Sequence, residues 1–379
     1  EAWRVPLHAS TLGEEEIAAV VAVMRSGRVT MGDRVAEFED AFARRTGFKY
    51  AVMVNSGSSA NLLAVSAHLS LGLLRQGDEV SVPAVTWPTQ VWPLIQLGLV
   101  PVVVDVDTST WALRLGEHNA SGARAMWPVC VYGCPPPWHV SSTLDWITDC
   151  CEALGALQDG RHVGYGSNVS TFSLYFSHHI TTIEGGVCCT NDDRIDETLR
   201  IQRAHGWVRD LDDASRRRHT DAHPDIDPNF LFVDVGFNLR PTEIAAAIGL
   251  CQLQKLDGII AVRNANWEFF RETLGRWSEF FEFQSAAPGC KPAWFGFNIL
   301  VRETAPFTRD DLRHALTDAG VETRPVIAGN IARQPGLKRY PHRVVGALTQ
   351  ADRIMNRALA IGVHQGIGLV ESEIVVDAV

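Results

Sequence analysis

The stretch AVMVNSGSSANLLAVSAHLSLG, residues 51–72, runs from apolar residues through a small polar cluster into an apolar periodic segment. Ala51 to Val54 reads as a short strand, Asn55 to Ser59 as a tight turn, and the remainder as a helix. Such a unit leaves the first amide N–H groups of the helix unpaired, at a place where an anion can sit. The turn lacks the lysine of a Walker loop. Gly57 and Ser58 are therefore either phosphate-holding residues or part of a plain helix cap.

The alternation continues outward. GDEVSVPAV and LGLVPVVVDVD read as further strands, and TLDWITDCCEALGAL as strand then helix around Asp149. This interval predicts an α/β fold with a large, mixed, mostly parallel sheet. Ligands in such sheets gather beyond the strand C-terminal ends. Upstream, Leu12 to Arg25 and Val35 to Thr46 carry helical patterns. Asp210 to Asp227 is polar and reads as a surface excursion or lid. PTEIAAAIGLCQLQKLDGIIAVRNANWEFF resumes helical periodicity. Beyond about Asn266, WFGFNILV reads as a strand and DDLRHALTDAG as a capped helix, giving a smaller α/β domain.

A chain of 379 residues, 46% hydrophobic and 21% charged, suits two packed domains. Its formal charge of −10 favours neither a nucleic-acid backbone nor an anionic membrane as partner. The start shows no basic-then-apolar leader and no run of about 20 apolar residues appears, so a cytoplasmic protein is expected. The eight cysteines read as buried thiols of a reducing compartment. Cys130 and Cys134 have no second ligand pair at zinc spacing, and no metal is expected.

Several residues carry candidate chemistry. Asp149 either pairs with a protonated ring nitrogen or caps a helix. Glu152 is its capping-box partner or faces a ligand. Trp87 covers a flat ring or packs. Ser173 holds a phosphate or bonds locally. In TFSLYFSHHITTIEGG (residues 171–186), His178 and His179 are adjacent. Strand neighbours face opposite ways, so one can enter a pocket while the other packs. A histidine moves protons near pH 7, yet lacks the primary amine with which lysine forms an imine. His205 and Arg209, four apart, would share a helix face and meet an oxygen-rich substrate, or form a surface pair. Asn238 and Arg240 form a turn or reach a neighbouring site.

Taken together, NSGSSANL, GDEVSVPAVTWPT, TDCCEALGA, TFSLYFSHHITTIEGG, HGWVRD, GFNLRPTEIAAAIG and GVETRPVIAGNIARQP resemble the sugar aminotransferases and dehydratases that use pyridoxal phosphate. The resemblance covers nearly the whole chain. It implies an aspartate-aminotransferase-like fold (PLP fold type I), with a large cofactor-binding domain and N-terminal segment over residues 1–250. A linking helix and smaller C-terminal domain take residues 251–379. It also implies a homodimer with a shared active site, and pyridoxal 5′-phosphate or pyridoxamine 5′-phosphate as cofactor.

Most of these proteins carry the cofactor-linking lysine where this chain has His178, so the resemblance is strongest to the histidine-bearing sugar 3-dehydratases. Some of these also hold an iron–sulfur cluster, but the cysteine spacing it needs is absent here. On this resemblance, His178 is the catalytic residue. Gly57, Ser58, Trp87, Asp149, Glu152, Ser173 and Asn238 contact the cofactor, Asn238 from across the dimer. His205, Arg209, Glu322 and Arg324 lie on the substrate side. The implied reaction removes the C3 hydroxyl of a nucleotide-linked 4-keto-6-deoxyhexose, with GDP-4-keto-6-deoxy-D-mannose as substrate. L-Glutamate is the amino donor and ammonia is released. The alternatives are a 4-aminotransferase and a catalytically inactive structural or regulatory homologue.

Overall fold

The computed structural model describes residues 3–137 and 146–379. Thr143 to Asp145, part of the strand pattern read around Asp149, lie outside the described residues. Two amphipathic helices open the chain, Glu14–Ser26 (α1) and Asp33–Thr46 (α2). Each ends on a glycine in the left-handed region, Gly27 at φ 72° and Gly47 at φ 80°, where a Cβ would be strained. There follow Tyr50–Val54 (β1), Gly57–Ser70 (α3), Glu79–Pro83 (β2), Pro88–Gln96 (α4), Val100–Val104 (β3), Leu115–Ser121 (α5) and Ala125–Met126 (β4). Next come Ile147–Asp149 (β5), Leu157–Gln158 (β6), Arg161–His162 (β7), Val169–Ser173 (β8), Gly186–Thr190 (β9), Asp193–Arg203 (α6) and Asp213–Ala222 (α7). The long helix Glu243–Leu274 (α8) leads to Phe281–Phe283 (β10), Cys290–Lys291 (β11), Phe297–Val301 (β12), Arg309–Asp318 (α9) and Arg324–Pro325 (β13). The chain closes with Arg343–Val344 (β14), Thr349–Arg357 (α10), Ala358–Ile361 (β15) and Leu369–Ala378 (α11).

The strand order β14-β3-β2-β4 continues through parallel bridges, Met126 to Trp146 and Val129 to Asp149, into β5-β8-β9-β1. Pairing is parallel except at β9, which runs antiparallel to both β8 and β1. The inner strand β3 is buried on both faces, which is why its VPVVV reads as a continuous apolar run. A second sheet, β10-β12-β15-β13, is antiparallel throughout.

One reading from the sequence changes. No helix follows Asp149; the chain turns at once, with Ala153 N–H donating to Cys150 O at 2.9 Å, and proceeds to the β6–β7 hairpin. The polar 210–227 stretch is mostly exposed and carries α7, which Asp212 caps through bonds from the N–H groups of Ala214 and Ser215. Helix α8 passes residue 250 without a break. Ala246, Leu256 and Ile259 join the core beneath β1 and β8, while Trp267, Phe270 and Leu274 join the core of the second sheet. The division proposed near residue 250 thus runs through a helix that serves both cores. With the turn after it (Glu243–Trp277), α8 is also the one described helix long and apolar enough to cross a membrane by length and composition.

A buried ion cluster fixes the edge of the large sheet. Glu39 of α2 accepts from Arg203 Nη1 at 2.5 Å, Arg200 Nη1 at 2.7 Å and Met53 N–H at 2.8 Å. Burial works to raise the Glu39 carboxyl, yet the two guanidinium groups hold it below its ordinary value. Its folded pKa is depressed, so its stabilisation is present above the ordinary carboxylate value and lost as pH falls through the folded one. Glu39→Ala leaves two arginines facing a buried hole and is expected to cost about 3–5 kcal/mol at pH 7. Urea denaturation at pH 7 and pH 4 checks this, the gap between variant and parent narrowing at the lower pH.

Candidate active site

A cavity of about 390 Å³ opens where β5 and β8 end and α3 begins, the ligand edge expected of this sheet. Ser56 caps α3, its Oγ accepting from Ser59 N–H at 3.0 Å. The N–H groups of Gly57 and Ser58 precede the first intrahelical bond and line the opening. A Cβ on Gly57 would stand 2.6 Å from Ser173 Cβ, and one on Gly186 would stand 2.2 Å from Ser56 O. The helix start is thus seated directly on β8 and β9, and Ser173 lies beside the same N–H groups.

Asp149 ends β5 and is 4% exposed. Without a helix after it, the capping alternative disappears. Its Oδ1 accepts from Cys151 N–H and its Oδ2 from Asn61 Nδ2, both at 2.9 Å. Asn61 is itself held by Thr171, whose Oγ1 donates to its amide oxygen at 2.6 Å. Burial pushes the Asp149 carboxyl up, and no cationic side chain among the described residues pairs with it. A positively charged ring nitrogen would supply the missing counter-charge. Trp87, the residue before α4, is half exposed over the same cavity.

Glu152 lines the cavity, and its Oε2 accepts from Tyr132 N–H at 2.8 Å. Burial raises it to about 7, against the opposing pull of that N–H and of Arg324. Tyr132 holds φ 53°, Ile327 φ 46° and Ile183 φ 72°. Left-handed backbone at non-glycine residues costs about 1–3 kcal/mol each. Ile327 lines the cavity, and the other two are chain neighbours or hydrogen-bond partners of lining residues.

His178 and His179 lie on a bend after β8, not within a strand as the opposite-facing argument required. They still part ways. His178 is half-buried and lines the cavity. His179 is 1% exposed and its Nε2 meets Ala293 O at 3.0 Å. Both rings pack on Phe295, at 5.1 and 5.9 Å between centroids. Burial lowers His178 to about 3, with Arg263 and Arg324 adding to the effect.

The cavity therefore gathers Gly57, Ser58, Trp87, Asp149, Glu152, Ser173, His178 and Arg324. Four candidates stand outside its lining. His205 and Arg209 do not share a helix face, because α6 ends at Arg203. His205 is left-handed (φ 68°), and a Cβ on Gly206 would stand 1.8 Å from Asp234 O. Arg209 lies over the Trp207 ring at 4.1 Å. Asn238 is exposed and accepts from Arg240 Nε at 3.0 Å. Glu322 accepts from Leu7 N–H at 2.9 Å and so ties down the N-terminal segment. Asn61, Tyr132, Phe295 and Arg263 were not singled out from the sequence. Asn61 lies one helical turn beyond Gly57 and could have been found by periodicity. The other three reach the site only through distant packing.

The fold, shared across nearly the full chain with solved structures, is the aspartate-aminotransferase-like one expected from the sequence. One is a GDP-4-keto-6-deoxymannose-3-dehydratase mutant with bound GDP-perosamine, 33% identical, TM-score 0.92, covering 99% of this chain and 100% of that one. Another is a GDP-4-keto-6-deoxymannose-3-dehydratase with a trapped PLP-glutamate geminal diamine, 32% identical, TM-score 0.91, with the same coverage. Among curated proteins, the GDP-4-keto-6-deoxy-D-mannose 3-dehydratase of Yersinia pseudotuberculosis is 36% identical, covering 95% of this chain and 94% of its own. With residues 10–379 matched, the chain belongs to the DegT/DnrJ/EryC1/StrS aminotransferase family.

Proposed function

We propose that this chain is a pyridoxal/pyridoxamine 5′-phosphate-dependent sugar 3-dehydratase acting on GDP-4-keto-6-deoxy-D-mannose. The observation that carries this reading is the cavity lining, which holds His178 together with Asp149 and, among the described residues, contains no lysine. L-Glutamate supplies two electrons and leaves as 2-oxoglutarate, its nitrogen departs as ammonia, and the sugar loses the C3 oxygen.

Bound pyridoxamine 5′-phosphate supplies an amine for the C4 ketone and an electron sink that makes loss of the C3 hydroxyl feasible. The chain supplies the rest. The N–H groups of Gly57 and Ser58 and the Ser173 hydroxyl would hold the phosphate. Trp87 would cover the ring, Asp149 would keep its nitrogen protonated, and Glu152, which lines the same cavity, would contact it. His178 takes a proton from carbon and returns one to the departing C3 oxygen, serving two successive steps from one position. Its low pKa in the free cavity favours the accepting form. Arg324 is the cavity's fixed cation for the substrate.

Asn238, His205, Arg209 and Glu322 lie outside this lining. We assign the first three to a site completed in a homodimer, Asn238 reaching the partner's cofactor phosphate. The exposed stack of Trp207 on Phe230 and Phe232 supports such an interface. We keep Glu322 on the substrate side through the N-terminal segment it holds.

Mass spectrometry of the protein with glutamate, cofactor and the GDP-sugar should show the 3,6-dideoxy-4-keto product with ammonia. A 4-amino product would instead make the chain an aminotransferase. His178→Asn should lower turnover about 100- to 10,000-fold while cofactor binding stays. Unchanged turnover would remove His178 from the mechanism. Asn61→Leu strips one donor from Asp149 and should weaken cofactor binding about 10- to 100-fold in an absorbance titration.

A further inference from the structure

Arg263 sits in the middle of α8 and is 3% exposed. A buried guanidinium normally has a carboxylate. This one has none among the described residues. Its Nη1 donates to Phe295 O at 3.0 Å, its Cζ lies 5.7 Å from the Phe295 ring centroid, and its Nε has no partner among the described residues. Beyond that ring stand the two histidines. Ala293 O can only accept, so His179 carries its proton on Nε2. Its Nδ1 is left as a bare acceptor, and His178 Nδ1 is likewise without a partner. The cluster therefore holds a full positive charge and two imidazoles, with no negative group among the partners of any of the three.

We propose that Arg263 is a positioning residue for His178: sealed behind Phe295, its uncompensated charge keeps the imidazole in the proton-accepting form while its bond to Phe295 O fixes the ring against which His178 packs. The inference rests on His178 being the proton carrier of the proposed reaction. A second imidazolium beside a buried guanidinium is disfavoured by like-charge repulsion in a poorly solvated site. The lowered pKa values of both histidines agree, burial being the first cause and Arg263 the second in each.

Other charged or titratable groups face His178: Arg324 from β13, Asp149 and Glu152 from the end of β5, Glu184 from the following turn, Tyr175 and His179. Arg324, Asp149, Glu152 and Glu184 line the cavity, where bound ligand charges can offset their fields. Arg263 is behind the wall, so its field persists when the cavity is filled.

The test is histidine NMR titration of the protein as purified, with His178→Asn used for assignment, alongside the pH profile of kcat/KM. Native His178 should stay neutral well into acid. Arg263→Met should raise its midpoint, and the acid limb of the profile, by about one pH unit, and Arg263→Lys should restore most of that shift. An unmoved midpoint in a folded Arg263→Met protein overturns the inference and leaves Arg263 a packing residue. If Arg263→Met does not fold, Arg263→Gln replaces it. The native protein alone can also decide against the inference, since a His178 midpoint at or above the ordinary value of about 6.5 overturns it. A shifted midpoint in a protein that does not dehydrate the GDP-sugar supports the coupling and removes only the proposed substrate.

Discussion

The seating of the α3 N-terminus on β8 and β9 is the constraint from which the site follows. Gly57 touches Ser173 and Gly186 touches the carbonyl of Ser56, each closer than any Cβ permits. This contact brings unpaired helix amides to the strand ends where Asp149 and His178 emerge. It also fixes Asn61 over β5 and β8, so that one amide side chain joins Asp149 to Thr171. A helix lifted by the width of a methyl group would lose the amide cradle and the orientation of the buried acid together.

Charge is arranged around that seat in an unusual way. Glu39 with Arg200 and Arg203 shows how the fold treats buried ions when only stability matters, since every charge meets an opposite one. The cavity departs from this rule. Among the described residues, Asp149 has hydrogen-bond donors but no cation, Arg263 an acceptor but no anion, and His178 neither at Nδ1. Buried groups left incompletely paired are costly. Their concentration around one cavity fits a site prepared for a charged ligand. The left-handed Tyr132 and Ile327 add backbone strain at the same place.

The local units could be read from the sequence because they rest on short-range rules. The α1 and α2 patterns, the strand–turn–helix of residues 51–72 and the capped α9 need only periodicity, caps and small residues. The helix expected after Asp149 failed for a physical reason. Cys150 to Leu154 has an apolar pattern, but these residues are used in a tight turn packed into the core beneath β1 and β8 rather than along a helix face. The shared helix face expected of His205 and Arg209 is lost likewise, since Gly206 must bend the chain around Asp234.

By itself, the sequence determined the chemistry on offer: a phosphate-sized turn at Gly57 and Ser58, an acid at a strand end, and a histidine where the resembled proteins carry lysine. Residue type and neighbouring spacing are enough for that. Only the tertiary structure decided which histidine faces the cavity, that Asn61 steers Asp149, and that Arg263 stands uncompensated behind Phe295. Those relations join residues more than a hundred positions apart in some cases, and burial and electrostatic fields depend on distance in space rather than along the chain.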